Sequence, residues 1–128
     1  PNFEEASEMT GETDEAKVAD KLYACGVKNV IMKIGKRGCY IRNADGAMIV
    51  PACKGVTAID TIGAGDNFNA GLLYGILREN ISRSQLENLS PEKWSDIISS
   101  GIDFSLEVCN SYDNYISTEF AAKYRTTH

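Results

Sequence analysis

A chain of 128 residues with 43% hydrophobic and 9% aromatic side chains can bury one core of ordinary domain size, which excludes a disordered segment. Eighteen acidic residues against thirteen basic ones give a net charge of -5, the wrong sign for a general nucleic-acid binder but no bar to a local phosphate site. No apolar run approaches the ~20 residues a membrane-spanning helix needs, and neither a membrane span nor a secretory signal is expected.

Cys25, Cys39, Cys53 and Cys109 form no C-x-x-C pair, and the single histidine, His128, is terminal, so a zinc site is not expected. Their apolar or mixed surroundings fit free, reduced thiols of a cytoplasmic protein, with disulfide pairing the lesser alternative. A chain that opens on Pro1-Asn2 without Met reads as part of a longer polypeptide.

Taken in order, the chain begins with Asn2-Phe3-Glu4-Glu5. The spacing of Asn2 and Glu5 is that of a capping box at a helix start. A carboxamide and a carboxylate on one helical turn can also organise a hydrated Mg²⁺, which keeps several waters and needs few protein ligands. Both roles are compatible. Residues 13–25 then carry an apolar stripe of Ala16, Val18, Ala19, Leu22 and Tyr23, predicting a helix capped by Thr13 and stopped by Gly26. Residues 27–34 read as a strand. A helix, a short loop and a strand make half of a βαβ unit, which predicts a parallel sheet.

Gly35-Lys36-Arg37-Gly38 follows, then a strand over 39–42, a turn at Asn43-Ala44-Asp45-Gly46, and an antiparallel return over 47–50. Gly35 at a strand end can expose backbone to a phosphate, or it can simply turn a corner. The Gly-Lys pair does not complete a P-loop, which would need glycine at Val30 and Ser or Thr at Arg37.

Residues 51–58 lead into Ile59-Asp60-Thr61-Ile62-Gly63-Ala64-Gly65-Asp66-Asn67-Phe68-Asn69-Ala70-Gly71-Leu72. Its first half is too glycine-rich for regular structure, while Phe68, Leu72, Leu73, Ile76 and Leu77 share a helical face. A tight loop therefore feeds a helix over about 66–79. Gly63 and Gly65 are expected to allow positive φ and close ligand approach. Unpaired amides at a helix start suit an anion, and Asp66 stands among them, where it can also be a plain N-cap. The dinucleotide fingerprint fails, because Phe68 stands where its third glycine belongs. Gly71 and Gly75 each cost helix propensity of roughly 1 kcal/mol, which is understandable if another backbone packs closely there.

After a polar connection over 82–90, Pro91 starts a helix through Trp94, Ile97 and Ile98. Gly101 is expected to interrupt it, with a further helix over 102–116. The tail over 117–128 reads as a fraying surface helix.

The string Asp60-Thr61-Ile62-Gly63-Ala64-Gly65-Asp66, with Phe68 and Gly71, resembles the signature of the PfkB (ribokinase-like) family of carbohydrate and nucleoside kinases. The match is long and nearly intact, and the N-x-x-E motif of that family fits Asn2 and Glu5. The resemblance implies a three-layer α/β/α fold, of which this chain is the C-terminal portion, as a single domain over 1–128 without the N-terminal half and its lid. It implies transfer of the γ-phosphoryl group of ATP to a hydroxyl of a sugar or nucleoside. Asp66 would be the catalytic base, and Gly63, Ala64 and Gly65 the anion hole. Lys33, Gly35 and Gly38 would lie at the nucleotide, although the family places Thr or Ser where Lys33 stands. Asn2 and Glu5 would hold Mg²⁺ through water, and Asp60 with the Ile62 carbonyl a monovalent cation such as K⁺. The family's nucleotide-binding end usually has small residues where this chain reads Ser99-Ser100-Gly101-Ile102-Asp103-Phe104. Only Ser100 and Gly101 keep that character, Phe104 and Tyr112 are bulky, and the resemblance assigns no adenine contact.

On these grounds the chain alone is expected to carry little or no kinase activity, and its missing half-sheet to leave an apolar edge that favours self-association, a homodimer in the simplest case. Two other readings compete. A non-catalytic nucleotide- or anion-binding module of the same fold would keep the loop and lose the chemistry. A plain interaction domain would use the glycines for a turn and Asp66 only as a cap.

Overall fold

The computed structural model describes residues 1–51, 64–109 and 115–127. Three strands, β1 (Asn29–Lys33), β2 (Cys39–Asn43) and β3 (Gly46–Val50), form one antiparallel sheet in the order β1-β2-β3. Opposite Lys33 lies Cys39, and opposite Cys39 lies Val50. The predicted parallel component is confined, among the described residues, to a bridge between Asn2 and Lys33, where the Lys33 amide donates to the Pro1 carbonyl at 2.9 Å. The antiparallel meander follows from two short connections, since antiparallel neighbours need only a tight turn whereas a parallel pair needs a crossover.

Side chains alternate across the sheet, and each face acquires its own core. On one face Val30 and Met32 pack with Ala6 of α1 (Phe3–Thr10) and with Val18 and Ala19 of α2 (Glu15–Ala24). On the other, Cys39, Ile41 and Val50 pack with Phe68 of α3 (Ala64–Arg78) and with Trp94, Ile97, Ile98 and Ile102 of α4 (Pro91–Cys109). Helices thus cover both faces, giving three α/β/α layers. The last helix, α5 (Thr118–Thr127), docks on α4. Buried Tyr124 donates to Asp103 Oδ2 at 2.7 Å and stacks within a cluster of Tyr74, Phe104 and Phe120.

Several helix ends differ from expectation. Asp14, not Thr13, caps α2, its side chain accepting from the Lys17 amide at 3.2 Å. Gly101 does not interrupt the chain, and α4 runs unbroken from Pro91 to Cys109. The reason is packing. A Cβ at Gly71 would land on the Ser100 carbonyl oxygen and lie 2.8 Å from Gly101 Cα, and a Cβ at Gly101 would lie 2.9 Å from the Phe68 ring. Gly71, Gly75 and Gly101 are therefore small because α3 and α4 touch backbone to backbone, and that contact outweighs the propensity cost. Residues 110–114, including Tyr112, lie outside the described residues.

Candidate active site

Lys33 ends β1, and the alternation of the strand sends its side chain to the α3 face, as it does for Ile31. Its ammonium lies 5.4 Å from the centroid of the buried Phe68 ring, a cation–π distance, and a Cβ on Gly65 would be only 3.1 Å from Nζ. A charge drawn from the strand end is thus set against the first turn of α3. Two residues expected at a phosphate from separate parts of the chain meet there. Asn2, expected near Mg²⁺, is joined to Lys33 by its backbone bridge.

Gly65 is helical and does not take the positive φ expected of it. Among the described residues the helix runs from Ala64, so Asp66 lies within it and is not the N-cap. Asp66 is exposed, and among the described residues its carboxylate has no ion pair and the amides of Ala64, Gly65 and Asp66 meet no acceptor. The first amides of a helix lack intrahelical partners and carry the positive end of its dipole. Gly63, Asp60 and Ile62 fall outside the described residues.

After β1 the chain closes a small loop. Ile34 donates its amide to the Gly38 carbonyl at 2.9 Å, and Gly38 returns a bond to the Gly35 carbonyl at 3.1 Å. Gly35 (φ 65°) and Gly38 (φ 103°) occupy the region that favours glycine, and no atom lies within 4 Å of where a Gly35 Cβ would stand. The corner geometry and an open backbone surface coexist at Gly35.

At α1, Asn2 is the N-cap, its Oδ1 accepting from the Glu5 amide at 2.8 Å. That bond uses one lone pair of the carboxamide and leaves the exposed Glu5 carboxylate clear of any ion pair among the described residues. Hard oxygen donors of this kind fit the hydration shell of Mg²⁺.

Two contributors were not anticipated. Ser105 of α4 is fully buried and donates its hydroxyl to the Ala64 carbonyl at 2.7 Å, tying the start of α3 to the helix beneath it. A signal did exist, because Ser105 interrupts the apolar stripe of Trp94, Ile98, Gly101 and Val108, and a buried hydroxyl requires a partner. Phe68, read only as core, is also the surface on which the lysine rests. The bulk of Phe104 goes into the aromatic cluster under α5.

Residues 1–90 match the pfkB family carbohydrate kinase model. An uncharacterised sugar kinase of Archaeoglobus fulgidus is 38% identical over 78 residues, which cover 61% of this chain and 30% of that protein. The 2-dehydro-3-deoxygluconokinase of Bacillus subtilis is 34% identical over 77 residues, covering 60% and 24%. The structure of ribokinase from Thermotoga maritima superposes with a TM-score of 0.69 at 26% identity, over 99% of this chain and 41% of that one. A fructokinase from Vibrio cholerae, with fructose, ADP and calcium bound, shares the fold with a TM-score of 0.67 at 19% identity, over 94% and 38%. The chain therefore spans about a quarter to a third of the length of these curated relatives. With a family match over more than two thirds of its residues and helix layers on both faces of its sheet, the chain belongs to the PfkB family of carbohydrate kinases.

Proposed function

We propose that the chain is the C-terminal, phosphate-handling portion of an ATP-dependent kinase that phosphorylates a hydroxyl of a sugar or nucleoside. The observation that carries this reading is the seat of the Lys33 ammonium against Gly65, one residue from the exposed carboxylate of Asp66. A cation, helix-start amides that meet no acceptor among the described residues, and a carboxylate gather at one turn of helix.

Phosphoryl transfer asks a protein chiefly for positioning and for stabilisation of charge spreading over the phosphate oxygens. The amides of Ala64 and Gly65, with Gly63 ahead of them, would bind the moving phosphoryl group at the positive end of α3. Lys33 would meet a phosphate oxygen as a point charge, while Gly35 and Gly38 present bare backbone to the nucleotide. Asp66 would take the proton of the acceptor hydroxyl, a contribution of typically ~10²–10⁴ in rate. Asn2 and Glu5 would hold Mg²⁺ through water, and the ion when bound neutralises phosphate charge. Asp60 and the Ile62 carbonyl complete the proposal as the seat of a monovalent cation.

The chain alone is expected to bind ATP without phosphorylating any sugar, because in the family the N-terminal half carries most acceptor contacts. In a polypeptide that also carries that half, Asp66→Asn is expected to abolish transfer while ATP affinity stays within about twofold, since the substitution removes a base and keeps the shape. Turnover and calorimetric titration on the same preparation decide it. Unchanged turnover removes Asp66 from the mechanism.

A further inference from the structure

Serine in mid-helix commonly bonds back to a carbonyl of its own preceding turn. Ser105 instead reaches across the helix interface to the Ala64 carbonyl, at 2.7 Å, with both residues fully buried. That carbonyl belongs to the same peptide unit as the Gly65 amide. A trans peptide is rigid and planar, so its C=O and N–H point in opposite directions. Holding the oxygen toward α4 therefore aims the Gly65 N–H away from α4, out of the first turn of α3. Hydrogen bonding at the oxygen also polarises the peptide and strengthens its N–H as a donor.

We propose that Ser105 is a positioning residue for the phosphoryl site, fixing the Ala64–Gly65 peptide plane so that the Gly65 amide is presented to the phosphate. This rests on the start of α3 being the anion site. Without the hydroxyl, the peptide is free to rock, and the amide no longer waits in a fixed direction. A hydroxyl that merely filled a hole in the core would leave the amide indifferent to its loss. A positioning hydroxyl would not.

The test uses ¹⁵N-labelled chain titrated with ATP in the presence of Mg²⁺, following the Gly65 amide signal and the dissociation constant together. In the wild type, the Gly65 amide proton is expected to move downfield on binding. In Ser105→Ala the fold should persist, with amide signals far from α3 unchanged, while that displacement shrinks and affinity falls about tenfold. Ser99→Ala, a hydroxyl deletion on the same helix, should behave as wild type in both measurements. Wild-type affinity and a wild-type Gly65 displacement in Ser105→Ala overturn the role of Ser105 and leave the anion site standing. If Ser105→Ala does not fold, the wild type alone decides: ATP that binds without moving the Gly65 amide overturns the proposal. Failure of the wild type to bind ATP overturns both this role and the site it serves.

Discussion

Gly65 adopts a helical backbone that any residue can take, so its conformation does not explain its lack of a side chain. What a Cβ would meet is Lys33 Nζ, at 3.1 Å. An ammonium at the end of a flexible stem can swing aside, and alanine in a helix is favoured over glycine by up to ~1 kcal/mol. Gly65→Ala is thus expected to leave the melting temperature unchanged or slightly raised while weakening ATP binding several-fold, because the displaced charge no longer sits at the first turn. Thermal melts and ATP titrations of one preparation check it, and a variant that loses stability and affinity in proportion would assign Gly65 to folding. The glycine-rich string and Asp66 could be singled out in the sequence because the proposed phosphate loop is a contiguous run of residues. The meeting of Lys33 with Gly65, and of Ser105 with Ala64, joins residues separated by more than thirty positions, and no local pattern announces such a pair.

Between elements, the contact that matters most is that of α3 with α4. Gly71 has no room for a methyl group, since the obstacles are the Ser100 carbonyl and Gly101 Cα, both backbone atoms that cannot step aside. Gly71→Ala should therefore destabilise the chain by about 1–3 kcal/mol, overpacking exceeding the gain in helix propensity. Leu77→Ala, on a side chain 78% exposed, should stay within about 0.5 kcal/mol. Denaturant melts with unchanged m-values separate the two outcomes. Here the sequence spoke clearly at Gly71 and Gly75, whose cost in α3 implied a close backbone, and misled at Gly101. A glycine in mid-helix looks like a break when judged by propensity. Its reason to be there is the Phe68 ring, which lies on another helix. The antiparallel return of β3 on β2 was legible in the turn at Asn43-Ala44-Asp45-Gly46, whereas the pairing of β1 with β2 was hidden, because a helix followed by a strand suggests a parallel neighbour.

At the scale of the whole molecule, two buried acidic groups on different elements tie stability to alkaline pH. Burial pushes the Cys39 thiol from 9.0 up to about 12, opposed by the positive charges of Lys33 and the amino terminus. Burial likewise pushes the Tyr124 phenol from 10.0 up to about 12, helped by Asp103 and opposed by its bond with Ser100. Both groups hold their protons more tightly folded than unfolded. The stability they contribute is complete below about pH 9 and is lost as pH climbs through 9 and 10 toward 12. Melting temperature should fall steadily across that window. In Cys39→Ala the fall should begin nearer pH 10, judged by the slope with pH so that any loss from the smaller side chain cancels. An identical slope in the variant would show that the thiol ionises as readily folded as unfolded. The three-layer architecture came from the resemblance carried by one motif, while the apolar face read for α3 proves narrower than expected: Phe68, Leu72 and Ile76 pack on the core, but Leu73 and Leu77 are 60% and 78% exposed.

The glycine contact between α3 and α4 also governs how the tip of α3 can move. Gly71 fits over the Ser100 carbonyl, and its neighbours Ala70 and Leu72 carry side chains that this seat does not admit. The next glycine along the helix is Gly75, four residues on, so the nearest alternative seating is a little over one turn away, roughly 6 Å. Between those seats α3 has no resting place, as in a ratchet with widely spaced teeth. The carboxylate at its leading end is therefore indexed to α4, and gradual piston-like drift is opposed by the same missing methyl groups that let the two helices touch.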